Sequence, residues 1–189
     1  MNRNLLIGLG IVAVLAIFVI TTYNGLVSKQ ETVTQQWAQV ENVYQRRSDL
    51  IPNLVNTVKG GVTAEKDILE GVMNARAKAS QVTVDPSKLS PDQIKNFQGA
   101  QDGLSSAIGR LMVVVEKYPD LQSIAGFSDL RASLEGSENR IAVERKKFNE
   151  VVQTYNVAIR SFPGNLFGFE KKGYFEASQG ADKAPTVQF

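Results

Sequence analysis

The 189-residue chain contains no cysteine and no histidine. Without cysteine it can form no disulfide, thiol nucleophile or thiolate metal site. Without histidine it lacks the commonest metal ligand and the commonest general base at neutral pH. Catalytic triads, zinc sites and di-iron sites in their usual forms are therefore excluded. The sequence predicts no catalytic residue, no metal ligand and no cofactor.

The chain also lacks an excess of either charge. It has 21 lysine and arginine residues against 19 aspartate and glutamate residues, for a net charge of +2. A nucleic-acid-binding protein usually concentrates its basic residues on one face or along one helix. No such basic stripe is present, so we expect no nucleic-acid partner.

The most apolar part of the sequence is its beginning, where no charged or strongly polar side chain interrupts Leu5–Ile20. With Thr21 and Thr22 the run has about 18 residues, enough for a helix to cross the hydrocarbon core of a bilayer. A cleaved signal peptide is the alternative, but no small-x-small cleavage site follows the run. The pattern predicts a single-pass membrane anchor at residues 1–23, which contacts lipid through residues 5–22.

The charges on either side of the anchor give a weak indication of its orientation. Arg3 and the α-amino group precede it, and the next 20 residues after it carry only Lys29. The positive-inside rule then slightly favours a soluble part outside the cytoplasm.

A long amphipathic pattern follows, with no Gly-, Pro- or Ser-rich linker before it. Its apolar residues recur at steps of three and four, the spacing of a helix that packs against other helices. They are Val33, Trp37, Val40, Tyr44, Ile51, Leu54 and Val58. Arg47 falls on the same stripe, and Pro52 removes one helical hydrogen bond. We expect the helix to start near Asn24, to continue directly from the anchor and to kink at Pro52.

Gly60–Gly61, preceded by Lys59, has the composition of a helix C-terminus and is the favoured end of this helix. Thr63 could then cap the next helix. The alternative places the chain reversal at Ser48–Pro52.

Three further amphipathic segments complete the soluble part. Their apolar stripes are Ile68, Leu69, Val72, Ala75 and Ala79; then Ile94, Phe97, Leu104, Ile108, Leu111, Val115 and Tyr118; then Leu130, Leu134, Ile141, Phe148, Val152, Tyr155, Ile159 and Phe162. Ser90–Gln93 has the pattern of a capping box with proline at the first helical position. Pro119 ends the third helix, and the last begins around Ser128–Asp129. The sequence thus predicts an all-α fold, with an N-terminal transmembrane helix and an antiparallel, up-and-down four-helix bundle over residues 24–162.

The predicted bundle places polar residues around Arg47. Aligning the first and last helices antiparallel gives a two-helix stalk near the membrane and brings Arg47 beside Glu138 and Asn139. A buried guanidinium needs partners, so we expect Glu138 to bind it and Asn139 or Asp49 to share its donors. The predicted polar cluster comprises Arg46, Arg47, Asp49, Asn53, Glu138 and Asn139. A structural network around the Pro52 kink is the favoured interpretation, and Arg46, Asp49 and Asn53 are the best candidates for a role beyond stability.

Residues 163–189 form a tail of different character. Aromatic residues alternate with glycines in Phe162–Phe169 and recur at Tyr174–Phe175. The aromatic side chains could lie at the membrane interface, fold back on the bundle, or form an extended ligand for a partner. Lys171–Lys172 and Lys183 suit a headgroup region without forming a dense polybasic run, which favours the first two interpretations.

Several stretches resemble the bacterial LemA family. They are Tyr23–Val27, Trp37–Glu41, Gln45–Val55, Glu135–Val143, Phe148–Asn149, Tyr155–Asn156, Phe162–Pro163, Phe175–Ala177, and Ala184–Pro185 with the terminal Phe189. The resemblance implies a single-pass protein of the bacterial cytoplasmic membrane with a bundle of bromodomain-like topology. It implies no established enzymatic activity, cofactor or site residue. It also implies a short amino terminus outside, opposite to the charge count, so the side of the soluble domain stays open.

Three functions remain in view. The leading hypothesis is a membrane-anchored interaction or scaffold module with an unidentified protein partner. The rival is an enzyme that uses carboxylates alone with Mg or Mn. Its only acids near the apolar stripes are Glu41, Asp49, Glu65 and Glu138, and no motif brings two of them together. The third is a lipid-binding role for the aromatic tail.

Overall fold

The computed structural model describes residues 3–59, 66–118, 124 and 126–177. Its helices are α1 (Arg3–Lys59), α2 (Lys66–Gln81), α3 (Pro91–Lys117) and α4 (Phe127–Arg160), followed by a 3-10 turn at Gly164–Leu166. The described residues contain no strand, so the predicted all-α fold is confirmed. The predicted helix ends at Gly60–Gly61 and Pro119, the cap at Thr63 and the last twelve residues of the tail lie outside the described ranges.

α1 is one uninterrupted helix of 57 residues, about 86 Å long at 1.5 Å per residue. Every residue from Arg3 to Thr21 is exposed, and this part is long and apolar enough to cross a bilayer. Inside the bundle, the apolar stripe predicted from Val33 to Val58 is buried throughout. The apolar run and the bundle therefore share one helix, with no flexible joint between them.

Pro52 lies inside α1, so the alternative chain reversal at Ser48–Pro52 is wrong. Proline has no amide hydrogen, and the Ser48 carbonyl four residues earlier loses its helical donor. Arg76 of α2 replaces it, because its Nε donates to that carbonyl at 2.9 Å. A neighbouring helix thereby satisfies the backbone group that Pro52 leaves free.

The predicted start of α3 is confirmed in detail. Ser90 accepts from the Gln93 amide, the Gln93 side chain accepts from the Ser90 amide, and Pro91 is the first helical residue. α4 begins at Phe127, one residue before the predicted start, and ends at Arg160. Because the helix stops there, Phe162 is 76% exposed rather than buried on the stripe as predicted.

The bundle contains two hydrophobic cores. The proximal core, nearer the apolar run of α1, comprises Leu26, Val33, Trp37, Val40, Tyr44, Val84, Leu89, Ile94, Phe97, Ile141, Phe148, Val152, Tyr155, Ile159 and Phe175. The distal core comprises Ile51, Leu54, Val55, Val58, Leu69, Val72, Ala79, Leu104, Ala107, Leu111, Val115, Phe127 and Leu134. α2 contributes to the distal core alone. The loop before α3 and the chain after α4 close the proximal core, so these two segments pack beside the two helices of the predicted stalk.

Two surface ion pairs lie within α4. Arg131 binds Glu135 at 2.9 Å. Glu144 accepts from Lys147 at 2.8 Å and also from Gln36 of α1 at 2.6 Å. The second bond links α1 to α4 across the proximal end of the bundle.

Candidate functional site

Arg47 lies between the two cores and is only 1% exposed. Its Nη1 donates to Ser105 Oγ at 2.7 Å and to Glu138 Oε1 at 2.8 Å, and its Nη2 donates to Gln101 Oε1 at 2.5 Å. The guanidinium carbon lies 5.1 Å from the centre of the Tyr44 ring. A carboxylate, two neutral acceptors and a ring face thus compensate the buried charge. We call Arg47, Gln101, Ser105 and Glu138 the polar layer.

Within the predicted polar cluster, the structure brings Arg47 and Glu138 together. The other four members, Arg46, Asp49, Asn53 and Asn139, are exposed. Asp49 accepts from Gln45 at 2.8 Å, and the donors expected for Asp49 or Asn139 go to α3 instead. The reason is geometric, because neighbouring residues of a helix point about 100° apart and only Arg47 lies on the buried stripe.

A groove of about 730 Å³ opens over the polar layer, between α3 and α4. We call it the α3–α4 groove. Arg47, Lys95 and Arg145 line it together with Asp102, Glu138 and Glu176, three cations against three carboxylates. The groove is therefore lined by both charges in equal number over a floor whose groups are already hydrogen-bonded to one another.

Tyr44 lies at the edge of the groove and is almost fully buried. Burial raises the pKa of its hydroxyl, although the nearby Arg145 and Arg47 partly oppose this. The phenol therefore stays protonated at neutral pH and is a poor general base there.

The chain after α4 runs back along the bundle at Glu170–Ala177, a stretch without regular secondary structure that we call the tail strand. Side-chain amides of the helices hold its backbone in pairs of hydrogen bonds. Asn156 donates to and accepts from Lys172, each at 2.9 Å. Asn149 binds Phe175 in the same way at 2.8 and 2.9 Å, and Gln98 binds Glu176 at 3.1 and 3.0 Å. Each side-chain amide thus pairs with the N–H and the C=O of one residue, as the backbone of a neighbouring strand does in a sheet.

Lys172 fixes the tail strand to the loop before α3. Its ammonium group donates to the carbonyls of Ser87 and Lys88 at 2.5 and 2.8 Å, and the side chain is 4% exposed. Burial lowers the pKa of this amine. The next residue must be glycine, because a Cβ at Gly173 would lie 2.7 Å from the Pro91 Cα.

Phe175 is the side chain that the tail strand contributes to the proximal core. Its ring stacks on Trp37 at 6.1 Å between centroids and meets Phe148 edge-on at 5.5 Å. On its outer side Arg145 covers the ring at 4.9 Å and donates to the Glu176 carbonyl at 2.7 Å. The tail strand therefore packs on the bundle and forms one wall of the α3–α4 groove.

Sequence reasoning missed the residues that hold the tail strand. A signal for them exists, because Asn149 and Asn156 are seven residues apart and so share one face of α4. The role of Arg76 was also missed, because no sequence pattern around it predicts a hydrogen bond to the Ser48 carbonyl. Gln101 was recognisable as the one polar residue on the α3 stripe, although its partner was not.

The acids of the rival enzyme hypothesis do not converge where the structure describes them. Glu41 and Asp49 are exposed, and Glu138 is engaged by Arg47. Glu65 lies outside the described ranges. Among residues 3–59, 66–118 and 126–177, no group of three acidic side chains is placed to hold a metal ion.

Comparison with known proteins gives a consistent match. The model of the LemA family matches residues 36–189. Magnetosome protein MamQ of Magnetospirillum gryphiswaldense is 30% identical, over 85% of this chain and 66% of the relative. Magnetosome proteins MamQ 1 and MamQ 2 of Paramagnetospirillum magneticum are each 29% identical with the same coverage. The chain thus spans just under two thirds of the length of these relatives. With the apolar run of α1, the matches identify a membrane-associated helical protein.

Proposed function

The chain belongs to the LemA family, and we propose that it is a non-catalytic, membrane-anchored module that docks a segment of a protein partner in the α3–α4 groove. In this proposal α1 crosses the cytoplasmic membrane of a bacterium and holds the groove close to its surface. The partner is a polypeptide on the same side of that membrane.

The anchoring part of the proposal is supported by the apolar run of α1. Its side chains are exposed over a length that matches a bilayer core, and lipid would cover them. Because the same helix carries the buried stripe of the bundle, an anchored α1 leaves the bundle no freedom to drift from the membrane.

The observation that carries the docking proposal is the composition of the α3–α4 groove. Equal numbers of cations and carboxylates suit a polypeptide, which offers both charges as well as amide donors and acceptors. A nucleic acid would need a surplus of cations. The floor is preformed, since both terminal nitrogens of Arg47 already have acceptors, and a preformed surface binds with a smaller ordering penalty.

The non-catalytic part is supported by the residue types in the groove. It contains no histidine or cysteine, since the chain has neither, and its tyrosine is held in the protonated form by burial. Of its two serines, Ser105 accepts from the Arg47 guanidinium and Ser106 donates to the backbone carbonyl of Asp102. No nucleophile in the groove is therefore paired with a general base.

Photo-crosslinking in intact cells tests the docking surface. We would place a photoreactive amino acid at Lys95 or Asp102 in the groove, and at Arg140 of α4 as the matched control. Arg140 is exposed on the same helix as Arg145 but does not line the groove. The expected result is a reproducible adduct of one mass from both groove positions and none from Arg140.

Two outcomes would contradict docking in the groove. One is equal labelling at Arg140, which would indicate collision with abundant neighbours rather than a site. The other is an adduct confined to the chain itself. Extraction of the membranes with carbonate, with the full chain compared against a variant lacking residues 1–23, tests the anchor separately.

A further inference from the structure

The turn that follows α4 exposes two large apolar side chains. Phe162 is 76% exposed and Leu166 is 70% exposed. Both values exceed that of every large apolar residue in the anchor, where Val14 is highest at 66%. Single exposed apolar residues are normal on a protein surface. Here two lie four residues apart in one short turn.

The position of this turn relative to the anchor is fixed by contacts on both sides. Phe167 and Phe169, which follow the turn, place their rings 5.8 and 5.7 Å from the ring of Tyr23. Tyr23 comes directly after Thr22, the last residue of the apolar run. The 3-10 turn itself contacts α1. The exposed pair therefore lies level with the end of the membrane-spanning part of the helix.

The turn is also held firmly against α4. Gly164 is buried, and a Cβ at this position would lie 2.1 Å from the Ala158 carbonyl oxygen. The backbone between the two apolar residues therefore packs directly on α4. Phe162 and Leu166 are thus presented outward by a close-packed turn.

We propose that Phe162 and Leu166 insert into the interfacial region of the bilayer that α1 crosses. Aromatic and aliphatic side chains at this depth exchange water for the boundary between headgroups and acyl chains. The inference rests on the proposed anchoring by α1, since the height of the turn is measured from that helix. It adds a second membrane contact, which sets the tilt and rotation of the bundle on the surface.

The charges near the turn fit a headgroup environment. Arg160 precedes it and Lys171 follows the paired rings, and both are exposed. Glu170 is the exposed acid among them. Lysine and arginine at the edge of an apolar contact can reach lipid phosphates with their charged groups while their methylene stems lie along the apolar surface.

Depth-dependent quenching tests the insertion. The chain has no cysteine, so a single Asn165→Cys substitution labels the turn and leaves Phe162 and Leu166 in place. The full chain, carrying an environment-sensitive fluorophore, is reconstituted in phosphatidylcholine–phosphatidylglycerol vesicles with brominated lipids or with aqueous iodide. Val143→Cys is the control, since Val143 is 51% exposed on α4, about 26 Å further from the membrane.

The expected result is severalfold stronger quenching by brominated lipid at position 165 than at position 143, with the opposite order for iodide. Adding Phe162→Ser and Leu166→Ser to the Asn165→Cys chain should lower the lipid quenching towards the Val143 level. Circular dichroism confirms that each variant remains folded, which both substitutions at exposed positions should permit.

An Ala13→Cys label separates this inference from the proposed anchor. If position 13 is quenched by lipid while position 165 is as accessible to iodide as position 143, the anchor stands and the insertion is wrong. If position 13 is itself accessible to iodide, the anchor fails and the insertion with it. Lipid quenching at position 165 that the two serine substitutions leave unchanged overturns the role given to Phe162 and Leu166.

Discussion

The two cores of the bundle are built from different side chains. The proximal core contains six aromatic rings, those of Trp37, Tyr44, Phe97, Phe148, Tyr155 and Phe175. The distal core contains one, Phe127. α2 reaches only the distal core, so three helices, a loop and the tail strand surround the proximal core. In the proximal core, large aromatic rings fill the volume that α2 and its aliphatic residues fill in the distal core. The chain after α4, as far as Ala177, is therefore part of the bundle.

The polar layer lies where the two cores meet. Arg47 interrupts the apolar stripe of α1 between Tyr44 and Ile51, and Gln101 does the same on α3 between Phe97 and Leu104. Shifting α1 against α3 or α4 would leave the buried charge of Arg47 without its acceptors, which is costly. We infer that this layer sets the register of the helices and so keeps the two cores separate.

The largest effect should come from removing the ring that the tail strand supplies. Phe175→Ala should lower the free energy of unfolding by about 3–5 kcal/mol, because it leaves a cavity among the aromatic rings. Chemical denaturation followed by the fluorescence of Trp37 measures it, since this single tryptophan stacks on Phe175. The neighbouring Tyr174 is 43% exposed and provides the control. Equal losses for Phe175→Ala and Tyr174→Ala would show that the tail strand is not part of the core.

A smaller loss is expected when the polar layer loses its carboxylate. Glu138→Ala leaves Arg47 with neutral acceptors alone, and we expect a loss of about 2–3 kcal/mol. Glu135→Ala removes a carboxylate one turn away whose partner is on the surface, and should cost below about 1 kcal/mol. Denaturation of both variants measures the difference. A loss no greater at Glu138 than at Glu135 would mean that the layer does not depend on charge.

The distal half offers a double-mutant cycle at the proline of α1. Arg76→Ala leaves the Ser48 carbonyl without a donor and should cost about 1–2 kcal/mol. In a Pro52→Ala background the new backbone amide can bond that carbonyl, so the same Arg76→Ala substitution should cost clearly less. Unfolding free energies of the four chains give the coupling. Additive losses would rule out the replacement of the missing amide by Arg76.

The smallest effect concerns the pH dependence of the link between α1 and α4. The hydrogen bond from Lys147, with a further one from Gln36, holds the pKa of Glu144 below its ordinary value of 4.5. The unfolded chain then binds the proton more tightly, so this contribution is present above pH 4.5 and is lost as the pH falls through the folded-state pKa.

Glu144→Gln should therefore flatten the acid side of the stability–pH curve, and Lys147→Met should flatten it by removing the main donor. Thermal unfolding midpoints measured at a series of pH values below neutrality provide the comparison. If both variants keep the slope of the unaltered chain, the acid sensitivity arises elsewhere in the protein.

Local patterns were the part of this structure that the sequence could predict. The stripe on α1 and the capping box at Ser90 depend on residues three or four apart, so helical periodicity is enough to find them. The pairing of Arg47 with Glu138 could be predicted because the apolar stripes of the first and last helices fix which residues face each other when the two helices are aligned antiparallel. Gln101 and Ser105 could not be added, because their place depends on the register of a third helix.

The proximal core was beyond sequence reasoning for a different reason. Its closing strand has no periodicity, and side chains on two helices fix its backbone rather than any pattern of its own. Phe162 was misplaced because the apolar spacing of α4 continues for two residues after the helix has ended. The spacing alone cannot say where a helix stops.

The unbroken course of α1 has a mechanical consequence. From Thr22 to Lys59 the helix extends about 55 Å beyond the apolar run. A stiff rod of that length acts as a lever. If its apolar end spans the bilayer as proposed, a change of about 10° in the inclination of that end would swing the far end by roughly 10 Å. Bilayer thickness alters the inclination of such helices, and this protein would convert that change into a displacement large enough for another molecule to sense.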